Sequence, residues 1–340
     1  MKRVLVTGAG GYIGSVLTKE LLDHGYAVVA FDRFFFGQDV LQDVKNYPAL
    51  TIVKKDIRDI EAADLDGIYA VCDLAALSND PTGDLDPELT FRINRDGRVH
   101  VGQMAKRAGV ARYVMSSSCS VYGHGEGVAL DEDAPKSPLT SYARANLAAE
   151  RETLALADAR FCATALRNAT VFGLSPRMRF DLVVNLMTLH AVERGKITIM
   201  GGGRQWRPLV HIRDVAAAFR TVIEAPPERV CGEVFNVGRE NAQVISIAYL
   251  VRETLPFPLQ IEVAPDDADR RDYNVSFAKA KRVLGLAAIN SIADGVREIY
   301  EALKMGRVEN GPKTSTVRWY RNVLDAQKLV ESISLNGRLL

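Results

Sequence analysis

The sequence predicts an α/β protein whose first half forms a doubly wound parallel sheet. Short β-branched runs alternate with amphipathic stretches, and the runs are rich in Val and Ala on both faces. Strand candidates fall at residues 4–6, 27–31, 50–53, 69–74, 113–115 and 162–166, with helical patterns between most of them. A strand with one wet face would alternate apolar and polar residues, so these runs imply helices packed on each side of the sheet. A third observation agrees with this reading: a glycine-spaced turn follows the first strand at once.

Bulk properties narrow the class of function. The chain has 340 residues, 47% hydrophobic and 25% charged, which excludes disorder and collagen-like structure and leaves room for two domains. Lys plus Arg total 43 against 42 Asp plus Glu, so no basic excess drives nucleic-acid binding, and a small-molecule enzyme fits better. Cys72, Cys119, Cys162 and Cys231 lie far apart with no C-x-x-C pair, which argues against a zinc site and a disulfide framework. No His, Asp and Glu residues have ligand spacing either, so no metal is expected. The apolar run Val4-Leu5-Val6 is broken at Thr7-Gly8, too short for a signal-peptide core, and nothing approaches the roughly 18 apolar residues of a membrane span. The expectation is a cytoplasmic protein without a membrane or nucleic-acid partner.

Past Gly173 the alternation loosens. Arg177, Arg179, Arg204 and Arg207 accompany the run Gly201-Gly202-Gly203, which suggests a second, smaller region gripping something anionic; the plainer reading is solvated surface charge. Residues 211–224 read as a helix, 234–237 as a strand, and 246–254 as a helix that stops before Pro256-Phe257-Pro258. The segment 313–340 reads as an amphipathic terminal helix without a chemical motif.

Thr7-Gly8-Ala9-Gly10-Gly11-Tyr12-Ile13-Gly14 joins the first strand to a helix that ends near Gly25. Gly8, Gly11 and Gly14 have G-x-x-G-x-x-G spacing: the tight turn needs permissive backbone angles, and a Cβ would block a pyrophosphate from the main chain. Amides at the helix start, around Tyr12 and Ile13, then meet the phosphates. Asp32 lies 18 residues beyond Gly14, at the end of the second strand, where a carboxylate accepts from both adenosine ribose hydroxyls and repels a 2′-phosphate. The cofactor read from these residues is therefore NAD rather than NADP, with Arg33 next door pulling the other way.

Further segments complete a pattern: Asp56-Ile57-Arg58-Asp59; Leu74-Ala75-Ala76; Ser116-Ser117-Ser118-Cys119-Ser120-Val121-Tyr122-Gly123; a helix opening at Tyr142; and Arg207-Pro208-Leu209-Val210-His211-Ile212-Arg213-Asp214. With the glycine turn, they resemble the extended short-chain dehydrogenase/reductase group of NAD-dependent nucleotide-sugar epimerases and dehydratases, from Val4 to about Gly285. The resemblance implies a Rossmann-type doubly wound parallel sheet that binds NAD, formed by residues 1–172 and 208–236. It also implies a smaller interleaved α/β substrate domain for the nucleotide sugar, formed by 173–207 and 237–312, with 313–340 as a tail. A homodimer is implied as well.

Residue by residue, the resemblance places Asp56 and Ile57 at the adenine and Leu74, Ala75 and Ala76 against the cofactor, with Asp73 where a histidine is common. Asn94 matches a structural asparagine. Ser118 and Tyr142 match the hydroxyl pair that holds the reacting sugar oxygen; a phenolate is a base able to take the proton a carbinol must lose with its hydride. Asn168 and Asn185 match positions near the sugar and nucleotide, and Arg207 and Arg271 match the clamps on the substrate pyrophosphate, Arg271 being preferred over Arg270. Arg177 and Arg179 would extend that anion site into the sugar pocket. His211 and Asp214 are read as capping the returning helix.

The departure that matters is Asn146. The family has lysine four residues after the tyrosine, on the same helix face, lowering the phenol pKa and holding the nicotinamide ribose. Asparagine can hydrogen-bond the ribose but carries no charge. Arg144 is no substitute, because two residues rotate a helical side chain by about 200°. Cys119-Ser120 stand where dehydratases carry Asp-Glu, and Cys119 is read as packing, which leaves reversible oxidation at one carbon, most naturally C4. Besides an epimerase, a keto-sugar nucleotide reductase and a catalytically silent dinucleotide sensor or scaffold stay open.

Overall fold

Seven parallel strands form the central sheet: β1 (Arg3–Thr7), β2 (Ala27–Asp32), β3 (Leu50–Lys54), β4 (Ala70–Asp73), β5 (Arg112–Ser118), β6 (Cys162–Asn168) and β7 (Val234–Val237). Their order across the sheet is β7-β6-β5-β4-β1-β2-β3. The chain runs outward from β1 to one edge, then crosses over and builds the other half from β4, so the crevice beyond the strand ends opens between β1 and β4. The computed structural model describes residues 1–264, 272–335 and 338, with the backbone alone for 126–128. Among the described residues no helix is long and apolar enough to cross a membrane.

The helices that cover the sheet follow the sequence signals. Helix α1 (Tyr12–Asp23) buries Leu17, Leu21 and Leu22, and the chain leaves it through Gly25 at φ 80°, the left-handed conformation that ends many helices. On the opposite face of the sheet lie α2 (Arg98–Arg107) and α3 (Ser141–Leu154), around a core containing Val101, Ala105, Tyr113 and Phe161. Helix α4 (Val183–Arg194) belongs to the second half, and α5 (Ile212–Glu224) returns beside α1, where Arg220 pairs with Glu20 at 2.9 Å. His211 caps α5, its Nδ1 accepting from Arg213 N, and Asp214 accepts from the backbone of Ile289 and Asn290.

Two differences from expectation concern function. Strand β5 does not stop at Met115: its register with β6 runs from Arg112 opposite Cys162 to Ser118 opposite Asn168, so the three serines are strand residues and only Cys119–Tyr122 form the turn. The loosened second half also holds more strand than its sequence suggests. Thr170–Phe172, Trp206–His211 and Glu240–Gln243 make a three-stranded sheet, and Lys196–Ile199 pairs with Gln260–Val263. These short pieces are stabilised by a separate apolar cluster around Val184, Ile197, Leu209, Ile247 and Val296, so tertiary burial rather than local pattern makes them strands.

Candidate active site

The glycine turn is built so that nothing but hydrogen fits. Gly8 has φ 70°, and a Cβ there would lie 2.8 Å from Ala75 N; at Gly14 a Cβ would lie 2.0 Å from Gly8 O. The first turn of α1 is thereby pressed against the end of β1. Among the described residues no side chain caps its N-terminus, which leaves backbone amides facing the crevice. Thr7 locks the neighbouring strand end, its Oγ1 donating to Asp73 Oδ1 (2.5 Å) and accepting from Leu74 N (3.0 Å) and Ala75 N (3.2 Å).

Asp32 stands at the end of β2, on the far side of the glycine turn. Its carboxylate accepts from Gly10 N (3.1 Å) and Phe34 N (2.5 Å), and burial raises its pKa. Arg33 is already engaged, at 3.1 Å from Asp56 and 4.5 Å above the Phe35 ring. The guanidinium that spoke for a 2′-phosphate is thus paired with a carboxylate.

A single cavity runs from Asp32, Asp56 and Ile57 past Gly8 and Gly11–Gly14 and the turn of Leu74, Ala75 and Ala76 to Ser118, Tyr142, Asn146 and Asn168; Arg177 and Arg179 line it too. Asn94 supports this wall from behind, its amide bonding both the N–H and the carbonyl of Leu77.

At the reactive end, α3 starts at a Thr140 cap that accepts from Ala143 N (3.1 Å) and donates to Asp80 Oδ1 (2.5 Å). Gly83 lets the helix come close: a Cβ there would lie 2.8 Å from that of Tyr142. Burial raises the Tyr142 pKa, helped by Asp80 and opposed by the nearby Ser118 hydroxyl and by the charges of Arg98 and Arg179. Asn168 donates to Ser116 Oγ (3.0 Å), while its Oδ1 is buried without a partner among the described residues. Cys119 packs as read, buried and donating to the Arg167 carbonyl.

Nothing in the local pattern marks Arg98. This fully buried residue donates from Nη1 to Asn146 Oδ1 (2.8 Å), from Nε to Asp73 Oδ2 (3.2 Å), and from Nη2 to the carbonyls of Asp73 and Ser116 (both 2.8 Å). Asn146 Nδ2 in turn donates to Tyr142 O at 3.0 Å. The two departures from the family pattern, Asp73 and Asn146, therefore meet on one guanidinium, which brings a positive charge behind Asn146 from another helix. Arg144 is exposed and donates to Leu139 O, on the far face as its spacing requires.

Other expected residues stand elsewhere. Asn185 is fully buried outside the cavity; its Oδ1 accepts from Gly173 N, and its Nδ2 donates to Tyr12 Oη and Arg179 O, so its amide is spent on the scaffold. Arg207 is buried on the strand Trp206–His211, donates to Trp206 O and does not line the cavity. Arg270 and Arg271 lie outside the described residues. Arg179 is neutralised by Asp181 through bonds of 2.9 and 3.1 Å. The tail, read as chemically silent, reaches the cavity: Tyr320 lines it with Phe35 and Phe36, because the C-terminal helix Thr316–Ile333 docks over the loop after β2.

Fold and cavity define a dinucleotide-binding protein with a serine and tyrosine hydroxyl pair at the end of its crevice. Residues 4–238 match the model of the NAD dependent epimerase/dehydratase family, and the chain belongs to that family. It is 30% identical over 315 residues to a UDP-glucose 4-epimerase of Mycolicibacterium smegmatis, covering 88% of this chain and 97% of that one. It is 26% identical over 312 residues to a UDP-glucuronic acid decarboxylase 1 of Danio rerio, with 87% and 71% covered. Among solved structures it resembles MoeE5 in complex with UDP-glucose and NAD at 30% identity and a TM-score of 0.77, covering 90% of this chain and 100% of that one. NAD is the cofactor of this family, and the glycine turn, the paired Arg33 and Asp32 fit it.

Proposed function

We propose that the chain is an NAD-dependent nucleotide-sugar epimerase or oxidoreductase that oxidises a sugar carbinol, at C4, with Tyr142 as acid and base. The observation that carries this reading is that Ser118 and Tyr142 together line one end of a cavity whose other end is the glycine turn and Asp32. Bound NAD supplies the hydride acceptor. The Ser118 hydroxyl orients the sugar oxygen, and the Tyr142 phenolic oxygen takes its proton and later returns it. The unpartnered Asn168 Oδ1 accepts from a sugar hydroxyl. Asn146 has its Oδ1 occupied by Arg98, so it offers a ribose hydroxyl an N–H and not a charge.

The substrate class rests on family membership and on relatives described as acting on UDP-sugars. The experiment is incubation with UDP-glucose, and separately with UDP-glucuronic acid, in the presence of NAD, with products resolved by NMR and compared with Tyr142→Phe and Ser118→Ala. Inversion at one carbon that both substitutions abolish supports an epimerase. A product with altered oxidation state identifies an oxidoreductase. Tight NAD binding with no turnover of any sugar nucleotide identifies a silent dinucleotide binder and ends the reading.

A further inference from the structure

After Gly173 the chain passes directly beside the start of α1, where Ser175 Oγ donates to Tyr12 O at 2.8 Å. Two residues on, Arg177 lines the same cavity and is 4% exposed. Only one of its three nitrogens is engaged: Nη2 donates to Thr316 Oγ1 at 2.9 Å, while Nε and Nη1 are buried with no partner among the described residues. Its neighbour Arg179 is fully paired with Asp181, whose carboxylate also accepts from Asn79 Nδ2 and Thr316 N. Among the described residues Arg177 has no carboxylate at hydrogen-bond distance, and burial together with Arg179 lowers its pKa to about 9. A buried guanidinium with two idle donors is costly, and a fold keeps such a group where an anion completes it.

The surroundings say which anion. Arg177 stands within electrostatic range of Tyr12, the first residue of α1, whose free amides face the same crevice. Its plane lies 3.7 Å from the Phe36 ring, which stacks edge-on against Tyr320 at 5.8 Å. The loop carrying Phe36 is tied to the C-terminal segment twice more, by Trp319 Nε1 to Phe35 O (2.9 Å) and Lys313 Nζ to Phe36 O (3.0 Å).

We propose that Arg177 and the N-terminus of α1 form a two-sided site for the diphosphate of the dinucleotide, with residues 313–320 as the clasp that holds Arg177 in place. One face is the backbone of the glycine turn, neutral and dipolar. The other is a guanidinium presenting two donors to phosphate oxygens. A diphosphate also occurs in a sugar nucleotide; position beside α1 favours the cofactor, and the two sources separate by titration.

The test is calorimetric titration of Arg177→Met and Arg177→Lys with NAD, and separately with UDP-glucose in the absence of NAD, alongside melting temperatures of the free proteins. Methionine keeps the apolar stem and removes the idle donors. NAD affinity falls by about 10- to 100-fold in Arg177→Met, recovers partly in Arg177→Lys, and UDP-glucose affinity does not move. The free Arg177→Met protein melts at the same temperature as the parent or higher, because a buried unpaired charge is gone. Thr316→Val, which frees the guanidinium from its clasp, weakens NAD binding by a smaller factor. Unchanged NAD affinity in Arg177→Met overturns the proposal, whatever happens to melting. So does a loss confined to UDP-glucose or shared equally by both ligands, which gives the guanidinium to the sugar nucleotide. The readout is NAD binding, so it stands or falls apart from the chemistry at Tyr142.

Discussion

Arg98 holds Asn146 by a 2.8 Å hydrogen bond into the amide oxygen, and the same guanidinium is bound to Asp73. The lysine that the family carries at 146 would meet this buried cation. Asn146→Lys alone therefore does not restore a typical enzyme: it places two positive groups together and lowers stability by about 1–3 kcal/mol. Arg98→Met alone strands Asp73 without its cation and costs about 3–5 kcal/mol. The double variant is more stable than the sum of the two, because each change relieves the other's fault. Denaturant melts of the four proteins give the coupling; a sum within about 0.5 kcal/mol of additivity removes Arg98 as the reason for asparagine at this position.

On the proposed mechanism, Tyr142 fixes the pH dependence. Burial and Asp80 hold its pKa above 10, against the opposing pull of Ser118, Arg98 and Arg179, so the free protein carries a protonated phenol at neutral pH. Sugar oxidation needs the phenolate, and kcat/KM for that direction rises with pH through neutrality without levelling off below 10. Asp80→Asn removes a carboxylate that raises the pKa and moves the rising limb to lower pH. Tyr142→Phe lowers turnover by about 10²- to 10⁴-fold with NAD affinity little changed. A profile flat from pH 7 to 10 means that another group takes the proton.

Behind the serines that end β5 lies a buried ion pair, Arg167 with Glu150 at 2.6 Å, whose carboxylate also accepts from Ser117 Oγ at 2.7 Å. Arg167 reaches further, donating to Tyr122 Oη and Glu132 O. Arg167→Met leaves Glu150 charged in an apolar wall and destabilises by about 3–5 kcal/mol. Glu150→Gln, which keeps the acceptor to Ser117, costs less. Thermal melts rank the two, and equal losses would mean that the pair acts only through its volume.

What the sequence made legible divides along a physical line. The glycine turn, Asp32 and the strands up to β6 could be read because their constraints are local: a Cβ at Gly14 would strike Gly8, eight residues earlier in a turn whose partners are contiguous. Ser118 and Tyr142 could be placed only through resemblance, since nothing in their spacing says that β5 and α3 converge. Arg98 was invisible because its meaning depends on three elements meeting, and on helix α2 it looks like any surface arginine. Asn185 stands apart for the opposite reason: its residue type suits a ligand, but the Gly173 N–H and the Arg179 carbonyl claim its amide. Tyr320 lies on an amphipathic tail in which only Thr316 is buried and Leu329 and Ile333 are exposed, so nothing in its pattern marks the residue that meets the cavity.

We predict that Asp32 sets cofactor choice and gives it an acid limit. The carboxylate accepts from Gly10 N and Phe34 N, and burial raises its pKa above the ordinary 3.8. For an acid raised in the folded state, the proton is held more tightly folded than unfolded, so its contribution to stability is full below the unfolded pKa and lost as pH rises through the folded value. Binding runs the other way: ribose hydroxyls need the ionised acceptor, and NAD affinity declines as pH falls through a midpoint above 3.8. Asp32→Asn abolishes that midpoint. It also removes the charge facing a 2′-phosphate, and because Arg33 is held by Asp56 at 3.1 Å, no cation swings in to reward NADP. The ratio of NAD to NADP affinity therefore drops by about 10-fold without inverting. Adding Asp56→Asn releases Arg33 and raises NADP affinity further, which titration of both cofactors against the two variants measures; NADP binding that ignores the second substitution would show that Arg33 points away from the ribose for reasons other than Asp56.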